Sequence, residues 1–246
     1  KGYYSTMSAG ITEPTKALDF LTTASKTAKS AHIEQEQVVK ALTAVMFGYG
    51  GEIKSAAEAS DLLFAIDKQG KTSVAELVPV IGDVASAAHQ AGLSADEMGS
   101  AIAALSQTAG STSQAATQFN AIVLGLIKPQ EKMIDLLKST GYNSGKAMIE
   151  HLGFAGALKR VNEEATKMNI PLGKFFRSSE AIIGLGPMIG DSFKAIGDNL
   201  DAMKNKTGSS EKAFQDWLKT GEAASEIFKN TMLKVLKMAG DELLPN

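Results

Sequence analysis

The sequence contains no cysteine, which excludes a disulfide framework and any thiolate metal site. Arginine is nearly missing: Arg160 and Arg177 are the only two, so the forked donors that recognise phosphates bidentately are scarce. Twenty-five basic residues face 27 acidic ones, for a formal net charge of −2 and a pI near 6.0. No basic stripe stands out, and sequence-specific nucleic-acid binding is not expected. No apolar run approaches the ~20 residues that a membrane span requires, and no signal peptide is read at the start. Lys1 in place of methionine predicts a processed or excised segment of a longer chain. β-branched runs are also rare, which argues against sheets.

What is present is helical material. Hydrophobic residues make up 44% of the chain, ample for a buried core, and alanine and glycine are abundant. Hydroxyl residues set the rhythm. Three segments, Ser73-Val74-Ala75-Glu76, Ser94-Ala95-Asp96-Glu97 and Ser111-Thr112-Ser113-Gln114, have the form of a capping box. In that motif the hydroxyl accepts from the third helical N–H, and the Glu or Gln reaches back. Gly70, Gly92 and Gly110 stand before these starts, where a preceding helix is expected to end in a left-handed residue. Apolar residues then recur at helical spacing: Leu77, Val80, Ile81 and Val84; Met98, Ile102 and Leu105; Phe119, Ile122, Val123 and Leu126. The pattern predicts three short, tightly connected helices.

The order of residues in this stretch resembles the core region of phage tail tape measure proteins. The likeness is carried by Gly70, Lys71, Thr72, Ser73, Glu76 and Leu77, then Ala91, Gly92, Leu93, Ser94, Glu97 and Met98. It continues through Gly110, Ala116, Thr117, Gln118 and Phe119 to Leu124, Ile127, Lys128 and Pro129. Upstream, Ala41 to Gly50 and Ser60-Asp61-Leu62-Leu63-Phe64 are similar to the approach to this motif; downstream, Trp217 and Leu233 to Pro245 are similar to its exit. The resemblance implies a virion protein of the tail tube lumen, assembled in the bacterial host cytoplasm. It implies scaffolding of the tube, setting of tail length and help with DNA delivery on ejection. The partners it implies are the tail tube protein, tail assembly chaperones, tail-tip or baseplate proteins and other copies of the same chain.

The remaining pattern predicts an all-α fold: a compact bundle of about a dozen mostly short helices with a longer C-terminal one. Thr12 is the expected N-cap of the first helix, with Pro14 in its first turn, and Gly50-Gly51 close the second. Pro129 is expected to open a helix that Gly141 ends. Residues 1–207 read as the helical core region. Residues 208–246 read as one long amphipathic helix, from about Ser210, that leaves or caps the bundle after the Thr207-Gly208 break.

No chemistry emerges. His32, His89 and His151 are far apart and lack a partner at i+3 or i+4, so neither metal nor cofactor is expected. Gly70-Lys71-Thr72 imitates the end of a phosphate loop, but the glycine that opens such a loop is missing. Glu180 is the one carboxylate beside an apolar glycine-rich run, yet it reads as an exposed first-turn residue rather than a glycosidase acid. No residue is assigned to catalysis. Ile182 to Gly190 has small-xxx-small spacing at Gly186 and Gly190. It reads either as a membrane-seeking element, which would act at the host inner membrane, or as a tight contact between helices. Trp217 and Phe228 are the residues expected to mark an interaction surface on the last helix, if they do not simply cover the bundle.

Overall fold

Helix caps written in the sequence set where many elements begin. In the computed structural model, which describes residues 11, 13–49, 52–188 and 191–243, there are thirteen α-helices and no strand among the described residues. Side chains of 187–194 and 235–243 are not described. The lead-in Lys1–Gly10, Thr12, the Gly50-Gly51 helix end, Ile189-Gly190 and Pro245 lie outside the described residues. In chain order the helices are α1 Pro14–Ala31, α2 Gln35–Gly48, α3 Ala56–Gln69, α4 Val74–Leu77, α5 Ile81–Gln90 and α6 Ala95–Ser106. Then come α7 Thr112–Ile127, α8 Glu131–Ser139, α9 Gly145–Lys167, a 3-10 turn at Leu172–Lys174, α10 Ser179–Met188 and α11 Asp191–Lys204. The chain ends with α12 Ser209–Leu218 and α13 Gly221–Leu243.

α6 is the axis. It buries ten of its twelve residues and is wrapped by α3, α5, α7 and α11. Its small side chains permit that enclosure. A Cβ at Gly99 would come within 2.9 Å of Leu62 Cδ1 and 3.1 Å of Met203 Sδ, and Ser100 Oγ donates to the Ile196 carbonyl of α11. Around it Leu62, Leu63, Ile66, Leu77, Ile81, Phe119 and Phe154 are fully buried. Each such side chain contributes about 1.5–3 kcal/mol over an exposed one.

Two capping boxes form as read, Ser73 with Glu76 and Ser94 with Glu97. The third is displaced: Ser111 Oγ accepts from Gln114 N, but Gln114 Oε1 reaches past the cap to Gly110 N at 3.0 Å. Of the three preceding glycines only Gly92 is left-handed, at φ +82°. Gly70 is extended (φ −98°, ψ 178°), and its reason is close packing: a Cβ there would lie 2.5 Å from Ser106 Oγ and 3.1 Å from Ala103 Cα. Pro129 precedes its helix rather than opening it, because Gln130 is the N-cap of α8; Gly141 ends α8 at φ +82°.

The expected single last helix is two. Lys219 ends α12, and Thr220 Oγ1 accepts from Ala223 N at 3.3 Å, restarting the chain as α13. The close helix contact read into Ile182–Gly190 exists, but at another glycine. Gly184 of α10 rests on α7, where a Cβ would meet Gln118 Cβ at 2.9 Å, while Gly186 faces open space.

Candidate functional site

The residues of the sequence motif gather into two polar knots on the α6 axis. The first joins the α3–α4 turn to the end of α6 and the start of α7. Lys71 N donates to Ser106 Oγ at 2.9 Å, and the Thr72 and Thr112 hydroxyls are 2.7 Å apart. Glu76 Oε2 accepts from Ser73 N at 3.2 Å and from Thr112 Oγ1 at 2.9 Å, so one carboxylate caps α4 and holds α7. Asp67 Oδ2 accepts from Val74 N at 3.0 Å. Burial pushes the Asp67 carboxyl up, the Val74 N–H opposes this, and Glu76 adds to it. Leu77 anchors the knot from below, fully buried.

The second knot surrounds the N-terminus of α6. Gly92 makes the left-handed turn and lies against Glu150, while Leu93 is buried. Glu97 Oε2 accepts from Ser94 N and Ser94 Oγ, both at 3.0 Å. Its other oxygen accepts from Phe154 N at 2.8 Å, where Gly153 (φ +72°, ψ 168°) breaks α9. Glu52 holds Ala95 N with both carboxylate oxygens, at 2.9 and 3.0 Å, and Asp96 pairs with Lys206 Nζ at 2.6 Å. Three carboxylates at one helix N-terminus suit the exposed N–H groups and the positive end of the dipole. Burial raises the Glu52 carboxyl above its ordinary range. The Ala95 N–H pulls it down, Asp96 raises it, Lys206 lowers it, and Glu97 adds the smallest push upward.

Other motif residues stay outside the knots. Gly110 receives Gln114, and Thr117 Oγ1 donates to the Ser113 carbonyl one turn back on exposed α7 surface. Lys128 is the C-cap of α7, with Pro129 following it. Trp217 and Phe228 are placed on opposite terms. Trp217 is 8% exposed, stacked on Phe214 with ring centroids 5.6 Å apart, whereas Phe228 is 66% exposed on α13.

A third feature escaped the sequence reading. Asp61, buried in α3, accepts from Gly208 N and Ser210 N at 2.8 Å each and from Ser210 Oγ at 2.5 Å. It thus caps α12 from 149 residues away. An acid at the head of the apolar run Leu62-Leu63-Phe64 was the available signal. Beside it, Lys26 pairs with Glu211 at 2.6 Å and lies 5.2 Å over the Phe214 ring. Lys29 pairs with Glu226, and His32 Nδ1 is 3.3 Å from Glu222.

The other chemistry-bearing side chains are dispersed. His89 packs edge-on against Tyr49, and His151 Nδ1 is 2.6 Å from the Tyr142 hydroxyl. Among the described residues no cluster of three His, Asp or Glu could hold a metal ion. Glu180 is exposed, and hydrogen bonds from Ser178, its own N–H and Ser179 hold its carboxyl below the usual range, opposite to the shift a proton donor needs. No helix among the described residues is long and apolar enough to cross a membrane.

Comparison with known families gives one match: a family model described as "Phage-related minor tail protein" covers residues 1–174. No curated protein and no solved structure matches the chain significantly.

Proposed function

The chain belongs to the phage-related minor tail protein family, a structural role in the phage tail, and on that premise we propose that it is the folded assembly block of a tape measure protein. In this reading the full-length protein lies in the tube lumen, scaffolds tube polymerisation in the host cytoplasm, sets tail length and assists DNA delivery on ejection. Its partners are the tail tube protein, assembly chaperones, tail-tip or baseplate proteins and further copies of itself. It has no catalytic residue and takes no cofactor.

The observation that carries this reading is the fate of the motif's polar atoms. Ser73, Glu76, Ser94 and Glu97 are all engaged in capping and in tying α4 to α7 and α6 to α9, which supports a structural role for the motif. A ruler, by contrast, encodes length linearly, at about 1.5 Å per helical residue. This block folds back on itself repeatedly, so its contribution is a docking body and the ruler lies elsewhere in the protein. The outward residues Ile227, Phe228 and Met232 of α13 are the surface assigned to a second copy or a tail partner.

Electron microscopy of lysates tests the proposal with two in-frame deletions of equal size. Removing residues 95–106 is expected to abolish tubes, whereas the same deletion in a linear helical segment is expected to give shorter tails. Tails shortened in proportion by the first deletion would overturn the reading. The membrane-active alternative has one point in its favour, the exposure of Ile182 and Ile183. Dye release from anionic vesicles by the purified chain, abolished by Ile182→Ser with Ile183→Ser, would replace the scaffold reading with it.

A further inference from the structure

The C-terminal pair α12–α13 rests on α1 and α3 and buries far less of itself than the helices packed around α6. Of its described side chains from 209 to 234, only Trp217 and Ala223 are buried. α3 buries eight of fourteen. Trp217 itself sits between open clefts at the edge of the bundle. Clefts of about 510 and 580 Å³ flank it, and its Nε1 is buried without a hydrogen-bond partner. Beyond Trp217, Ala223 and the partly buried Phe214, the attachment is polar: the Asp61 cap, the Lys26–Glu211 and Lys29–Glu226 pairs, and the His32–Glu222 contact. Exposed pairs of this kind are weak and screened by salt. Segments with few buried apolar contacts open at lower free energy than the core they rest on.

The connection is built for a hinge. Lys206, bonded to Asp96, pins the end of α11 to the α6 N-terminus. Two residues on, Gly208 is left-handed at φ +84° with open space where a Cβ would stand. Asp61 grips Gly208 N itself and, two residues further, Ser210 N and Oγ. Pin, hinge and grip therefore follow within five residues, from Lys206 to Ser210.

We propose that α12 and α13 form a latch that swings open as a unit about Gly208 while the bundle from α1 to α11 stays folded, with Asp61 as its catch. Opening uncovers Trp217, Phe214 and the Leu21 and Phe64 faces of α1 and α3, a surface that the closed form keeps for itself.

Hydrogen exchange on the whole chain tests this, read beside fluorescence of Trp217, the single tryptophan. In Asp61→Asn, amides of 208–218 are expected to exchange at least tenfold faster while those of α3, α6 and α7 keep their rates. Trp217 emission should shift red and become more quenchable by acrylamide. Lys26→Glu with Lys29→Glu, on the surface of α1, should open the latch with Asp61 intact, and Glu211→Lys with Glu226→Lys in the same chain should close it. Uniform acceleration in all helices of the charge-reversed variant would overturn the proposal, since the latch would then be part of one cooperative unit. Unchanged exchange over 208–218 in both variants would overturn it equally.

Discussion

Glu97 Oε1 lies 2.8 Å from the backbone nitrogen of Phe154, so the residue that closes the capping box of α6 also caps the second half of α9. One side chain fixes two helix starts, the second 57 residues further along the chain than Glu97 itself. Glu97→Ala loses a cap, worth about 0.5–2 kcal/mol. It also leaves the Phe154 N–H without its partner, at about 1–3 kcal/mol. The expected total is about 1.5–5 kcal/mol in urea unfolding. Glu97→Gln keeps one acceptor and should lose less than half of that.

Two glycines should respond to alanine with opposite signs. At Gly145 a Cβ would stand 2.2 Å from the Leu126 carbonyl oxygen and 2.7 Å from its carbon, so backbone has to move. Gly145→Ala is therefore expected to destabilise by about 1–3 kcal/mol, the range for overpacking. Gly186, within α10, meets nothing within 4 Å. Gly186→Ala is expected to stabilise by about 0.5–1 kcal/mol through helix propensity. Thermal unfolding of both variants checks the pair.

Glu52 gives a pH dependence of defined sign. Its folded carboxyl is raised above its ordinary value of 4.5, chiefly by burial. In the window above 4.5 the folded state therefore binds the proton more tightly than the unfolded chain. Its contribution to stability falls as pH rises through that window. Glu52→Gln removes the titration and keeps an acceptor for Ala95 N. The stability of the variant relative to the parent should rise with pH above 4.5 and level off below it. A difference that is flat in pH would contradict the raised carboxyl.

Phe228 separates surface from support. It is 66% exposed, so Phe228→Glu should leave the melting temperature within a degree or so of the parent, surface changes being worth less than about 0.5 kcal/mol. Light scattering should nevertheless show any discrete oligomer of the parent reduced to monomer. An oligomer that survives the substitution would remove the α13 face from the proposed self-contact.

Local signals were legible in the sequence and long-range ones were not. Ser73, Ser94 and Ser111 announced their helices because a cap involves atoms only three residues apart. The Thr220 hydroxyl that restarts the chain as α13 is the same signal, and it was lost inside an apolar periodicity that continued across the break. Gly70 and Gly184 were visible as glycines, but the reasons for them, Ser106 and Gln118, come from other helices. Asp61 is the clearest case. Its partners at Gly208 and Ser210 exist only once α12 has folded onto α3. The exposed face of α13 was legible as an amphipathic stripe, yet Trp217 of α12 turned inward, because the packing of α12 against α1 and α3 is a tertiary event.

The enclosure of α6 has a consequence for how the protein is made. Ser100 reaches its acceptor on Ile196 across 96 residues of chain. At 5–20 residues per second, a ribosome delivers α11 roughly 5–20 s after α6. Through that interval the face of α6 that receives α11 has nothing to cover it. The axis of the finished bundle is thus a sticky surface on the nascent chain for that interval, and holding it apart from neighbouring chains is a task for whatever meets the protein during synthesis.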